Sequence, residues 1–171
     1  MKKKILSLML AVCVVLGLSA CGGEEEVEDA LVCTMEQSGM TFTMRMDAKG
    51  DTVTNVEQET VVSTEGFTED QIQQLRAAIE EAAAAYEAIE GTEYTTEEGD
   101  GEIREVISIP VADEEVLKAV IEQGLLPVEG DDVSKISLEQ TRESLEASGW
   151  TVEEEKEYKN TADNWSRSVF L

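Results

Sequence analysis

Polar and apolar positions alternate with period two through Met40-Thr41-Phe42-Thr43-Met44-Arg45-Met46, which predicts a half-buried β-strand. The wider stretch 30–46 reads as strands. Asp47-Ala48-Lys49-Gly50-Asp51 is a hairpin loop, with Gly50 free to take positive φ. The Val- and Thr-rich segment 52–62 then pairs back on the first strand. From Thr68 the period changes to 3.6. Thr68 and Gln71 form a capping box, and Ile72, Leu75, Ile79, Ala82, Tyr86 and Ile89 recur on one stripe until Gly91.

A second hairpin is predicted near 92–96 and 102–109, turned by Glu98-Gly99-Asp100-Gly101 and ended by Pro110, which cannot donate to a ladder. Asp113 caps a short helix that turns Val116, Leu117, Val120 and Ile121 inward and stops at Gly124. Ser137 and Gln140 form a second capping box, for a helix with Leu138, Thr141, Leu145 and Ser148 on one side. Trp150–Val152 is a candidate last short strand. The predicted fold class is α+β: one antiparallel sheet built from two hairpins, helices packed on one face, in β-β-α-β-β-α-α order.

The N-terminus follows a different pattern. Lys2, Lys3 and Lys4 precede an apolar run, Ile5 to Leu18, interrupted by Ser7 and Gly17. As a helix that run rises about 21 Å, too short for a hydrocarbon core of about 30 Å. A basic start, a short apolar region and small residues before a cut site have the layout of a secretory signal. Leu18-Ser19-Ala20-Cys21 resembles the bacterial lipoprotein lipobox. That resemblance implies cleavage between Ala20 and Cys21, and a diacylglyceryl group on Cys21 as the new N-terminus. Two or more acyl chains hold a protein stably on a bilayer, so the covalent lipid suffices as anchor. Gly22-Gly23 and the acidic run after it read as a self-repelling tether. The expected division is a signal peptide over 1–20, lipidated Cys21 with its tether over 21–29, one α+β domain over 30–154, and a C-terminal extension over 155–171, read as an edge strand or a tail.

Charge narrows the partners. Without residues 1–20 the chain keeps ten Lys and Arg against 38 Asp and Glu, a formal charge of −28. Such a surface repels nucleic acid, and leaves an envelope protein or a cationic ligand as partner classes besides the bilayer. Cys13 leaves with the signal and Cys21 is acylated, so Cys33 is the one remaining thiol and an internal disulfide is excluded. Stability rests on packing.

Histidine is absent, which removes Ser-His-Asp and Cys-His nucleophile systems and HExxH zinc sites together. No Gly-rich phosphate loop and no complete EF-hand loop is present. Asp47–Asp51, Glu98–Glu102 and Glu129–Asp132 are acidic turns without the alternating ligand set of a tight calcium site. Carboxylate pairs at glycosidase spacing are expected by chance among so many acids, which makes an envelope hydrolase the weakest functional alternative. One cluster is chemically distinct. Met35, Met40, Met44 and Met46 lie close to Cys33 in sequence, and on adjacent strands these sulfurs would share one face. Soft ligands of that kind suit Cu(I). The competing reading makes the same face the core, covered by the 72–89 helix with methionine as adaptable filler.

The lipobox, the hairpin, the alanine-rich helix ending Ile89-Glu90-Gly91, the second hairpin, and Ser137-Leu138-Glu139-Gln140 followed by Ala147-Ser148-Gly149-Trp150 together resemble the YehR-like small bacterial lipoproteins. The similarity spans roughly 21–154. It implies a lipoprotein of unknown function with this fold and location, and it supplies no catalytic residues. The functional expectation is a membrane-anchored, extracytoplasmic, non-enzymatic binding or accessory module. A solute- or metal-binding lipoprotein, using acidic loops or the sulfur face, is the alternative.

Overall fold

The computed structural model describes residues 25–99, 101–126 and 134–153. The expected signal peptide over 1–20, Cys21, the Glu129–Asp132 turn and the 155–171 extension lie outside them. In chain order the elements are β1 (Glu26–Gln37), β2 (Met40–Lys49), β3 (Thr52–Ser63), α1 (Glu69–Glu87), β4 (Glu93–Gly99), β5 (Glu102–Ile109), α2 (Glu114–Glu122), α3 (Leu138–Ala147) and β6 (Thr151–Val152). The fold is α+β with a single antiparallel sheet of order β4-β5-β3-β2-β1-β6.

The expected first hairpin is a three-stranded meander, so the order gains one strand at the front and one at the end. The cause is the turn at Ser38-Gly39. Both residues have positive φ, 55° and 80°, the signature of a two-residue primed turn that matches sheet twist. Serine rarely marks that position, so the break inside 30–46 carries no strong sequence signal. β1 also begins at Glu26, within the segment expected as tether. Glu26 pairs with Lys49 in the ladder and accepts a hydrogen bond from Thr54 Oγ1 at 2.6 Å. The Asp29 N–H donates to Asp47 Oδ1 at 3.0 Å, beside the register shift between Val27 and Leu31.

All three helices lie on one face, as expected. On β2, Phe42, Met44 and Met46 are buried, and they share a core cluster with Tyr86 and Ile89, with Val116, Leu117 and Val120 of α2, and with Leu145 of α3. The opposite face is polar. Arg45 bridges Glu57 and Glu59, and Arg104 bridges Glu59, with all four side chains partly exposed. No described helix is long and apolar enough to cross a membrane.

The caps form as the sequence predicts, with one departure. Thr68 and Gln71 make both arms of their capping box. The Asp113 carboxylate accepts from the N–H groups of Glu115 and Val116. At α3, Ser137 Oγ accepts from the Gln140 N–H, but Gln140 Oε1 is buried without a partner, so the reciprocal arm is missing. Asp51 from the β2–β3 turn ties the helix start in a different way. Its carboxylate accepts from the Glu139 N–H at 2.9 Å and from Ser137 Oγ at 2.8 Å, pinning the helix to the sheet.

Candidate functional site

The register places Cys33 opposite Met44, Met35 opposite Phe42, Leu31 opposite Met46 and Gln37 opposite Met40. All five sulfurs therefore lie on the helix-covered face, with Cys33, Met44 and Met46 fully buried and Met35 and Met40 half-buried. They do not converge. Met40 and Met46 are six residues apart on one strand, ~20 Å at the strand rise, and Phe42 stands between Met40 and Met44. Trp150 meets Phe42 edge to face with ring centroids 6.5 Å apart. The cover over this end is α3, which packs on β1 and β6. α1, expected there, packs instead on β4. Burial pushes the Cys33 thiol up to about 11, the direction of an inert core sulfur. No group of three or more His, Cys, Asp or Glu placed to hold a metal ion occurs among the described residues.

Among the described residues, acids of two of these turns are engaged structurally. Both Asp51 oxygens and Asp47 Oδ1 serve the backbone and side-chain contacts given above. Glu98 pairs with Arg76 of α1. Ala20 and Cys21, where cleavage and lipidation are expected, lie outside the described residues.

The most polar part of the covered face is a row no motif points to. Thr60 on β3, Glu105 on β5 and Thr96 on β4 are successive cross-strand partners, and Gln58 lies two residues from Thr60 on the same face. Gln58 is 5% exposed; its Nε2 donates to Thr60 Oγ1 at 3.3 Å, while its Oε1 has no partner. Tyr94 donates its O–H to Glu105 Oε1, and its ring stacks on Tyr86 of α1 at 5.9 Å and 22°. Burial pushes the Glu105 carboxyl above its ordinary range, against the Tyr94 hydrogen bond that lowers it. Burial likewise raises the Tyr86 hydroxyl to about 12, with the Glu105 charge adding to it. A cleft of about 230 Å³ runs beside this row between α1 and the β4–β5 hairpin, lined by Arg76, Ile79, Ala83, Thr96 and Ile103 among others. The signal for it was present in the sequence. Ile103-Arg104-Glu105-Val106-Ile107 alternates with an acid at an inward position, and Gln58 and Thr60 interrupt the inward valines of β3.

Known proteins place the fold. The family described as "Protein of unknown function (DUF1307)" matches residues 32–151. The NMR structure of the E. coli YehR protein aligns at a TM-score of 0.59 with 18% identity, over 82% of this chain and 99% of that one. At that identity the likeness establishes fold alone. An NMR structure of a protein from Streptococcus pneumoniae TIGR4 aligns at 0.46 and 13% identity, over 81% of this chain and 92% of that one. No curated protein sequence matches significantly.

Proposed function

We propose that this chain, which belongs to the DUF1307 family, is a lipid-anchored, extracytoplasmic binding or accessory module of the cell envelope and not an enzyme. The observation that carries this reading is Leu18-Ser19-Ala20-Cys21 at the end of an apolar run too short to span a bilayer. The start of β1 at Glu26 supports it, because four residues, 22–25, then separate Cys21 from the sheet. A link that short, ~17 Å at most when extended, holds the domain close to the head groups. The formal charge of −28 orients the surface toward cationic partners. The chain contains no histidine, and burial holds the Cys33 thiol far above neutrality.

The test is crosslinking on intact cells that carry either the wild-type chain or Cys21→Ser, followed by mass spectrometry of what is captured. The reading predicts a reproducible envelope protein captured by the wild type and lost with Cys21→Ser. Equal recovery of the same cytosolic neighbours with both forms would contradict it. A second reading, a solute-binding lipoprotein, is favoured by one observation, the cleft beside Glu105.

A further inference from the structure

The two edges of the sheet are finished differently. β4 forms one edge, and its Glu93, Glu97 and Glu98 are charges of the kind that discourage a further strand. At the other edge β6 covers a small part of β1. Thr151 pairs with Thr34, Val152 with Cys33, and the Glu153 N–H donates to the Val32 carbonyl at 2.9 Å. Beyond that point β1 continues back through Leu31 and Ala30 to Glu26.

Part of that remainder is buried without being paired. Ala30 is 4% exposed, and among the described residues Glu28, Asp29 and Ala30 have no ladder partner on β2 or β6. Backbone polar groups alternate in direction along a strand. Leu31 is in register with Met46 of β2, and the Val32 carbonyl faces β6, so the Ala30 carbonyl points out on the β6 side. A buried carbonyl in that position calls for a donor.

The direction of β6 supplies one. Because β6 is antiparallel to β1, a chain continuing from Glu153 passes Leu31 and then Ala30. Residues 154–171 follow Glu153 and lie outside the described residues. About six extended residues span the rest of β1, so the chain is long enough to cover it. Carried on by two positions, the β1–β6 register sets Glu155 opposite Ala30. Lys156 and Lys159 come next in sequence and complement Glu26, Glu28 and Asp29 of β1.

We propose that the chain beyond Glu153 extends β6 along the open edge of β1, with the Glu155 N–H donating to the Ala30 carbonyl. The direction of that carbonyl is fixed by Leu31, so this bond does not depend on the register shift between Ala30 and Val27. Seated there, the segment occupies the edge at which another chain could otherwise add a strand. It also ties the C-terminal part of the protein to the strand that leads back to Cys21.

The test is backbone amide hydrogen exchange, followed by NMR on the isotopically labelled full chain in detergent micelles at a low and a high protein concentration. A strand paired on one side alternates with period two. The expected result is slow exchange at Glu153 and Glu155 and fast exchange at Glu154 and Lys156, the same at both concentrations. Glu155→Pro removes the donor and should speed exchange at Glu153 severalfold. Glu154→Pro, whose lost N–H points away from β1, should leave Glu155 protected. Both substitutions fall on the outermost strand, and the amides of β2 and β3 report folding in the same spectra. Fast exchange at Glu155 in the wild type, protection without the alternation, or equal effects of the two prolines would overturn the proposal. Protection that appears only at the higher concentration would also overturn it, and would identify a second copy as the occupant of the edge. None of these outcomes depends on acylation of Cys21.

Discussion

Ser137 Oγ donates to Asp51 Oδ2 at 2.8 Å across 86 positions of sequence, so a hairpin turn caps a helix of the opposite half of the chain. Asp51 also accepts from the Glu139 N–H, and the Leu138 N–H donates to the Asp51 carbonyl. The first turn of α3 is satisfied by the sheet together with Ser137 Oγ, which accepts from the Gln140 N–H. Asp51→Ala should destabilise the chain by about 1–2 kcal/mol, the range of a lost N-cap, with Asp51→Asn recovering most of it. Urea unfolding of the three proteins checks this. An Asp51→Ala protein as stable as wild type would mean that α3 does not depend on the turn.

Trp150 closes the sulfur end of the core. It is 8% exposed, it touches Phe42 edge to face, and the two-residue β6 follows it directly. Trp150→Ala should cost about 3–5 kcal/mol, as large-to-small changes at buried aromatics do. The same variant should speed thiol labelling at Cys33, because β6 pairs Val152 with Cys33.

Cys33 itself should be inert in the native state. It is 0% exposed with its thiol raised to about 11, so little thiolate forms at neutral pH. In a background that carries both Cys13→Ser and Cys21→Ser, Ellman's reagent should react only as fast as the chain opens, and stoichiometrically once unfolded. Core packing further predicts no Cu(I) uptake in competition with a strong chelator. Rapid native labelling would contradict the packing described for β1.

Legibility in the sequence followed how local the cause was. Helix starts at Thr68, Asp113 and Ser137 and the inward stripe of α1 were readable, because caps and 3.6 periodicity are written within one element. The break at Ser38-Gly39 was not, because a positive-φ serine leaves no common signature. The assignment of α1 to the sulfur face failed for another reason: which helix covers which strands depends on sheet order, a long-range property. The polar row was visible only in parts. Glu105, Thr60 and Gln58 each break an apolar alternation, but only the β3–β5 register brings them together.

Glu105 should make stability depend on pH in a defined direction. Burial raises its folded value above the ordinary 4.5, so its favourable contribution is complete below that value and is lost as pH rises through the folded value. Glu105→Gln removes this loss. The stability difference between the variant and wild type should be smallest near pH 4 and grow in the variant's favour toward pH 7. A difference independent of pH would show that Glu105 is not desolvated.

The anchor is the premise on which the surface and the cleft acquire a setting. Intact-mass and N-terminal peptide analysis of the protein isolated from membranes of its own cells tests it directly. The account predicts a chain beginning at Cys21, lacking residues 1–20 and carrying a diacylglyceryl group on the sulfur. A chain that retains residues 1–20, or one that begins at another residue with Cys21 absent or unmodified, would contradict it.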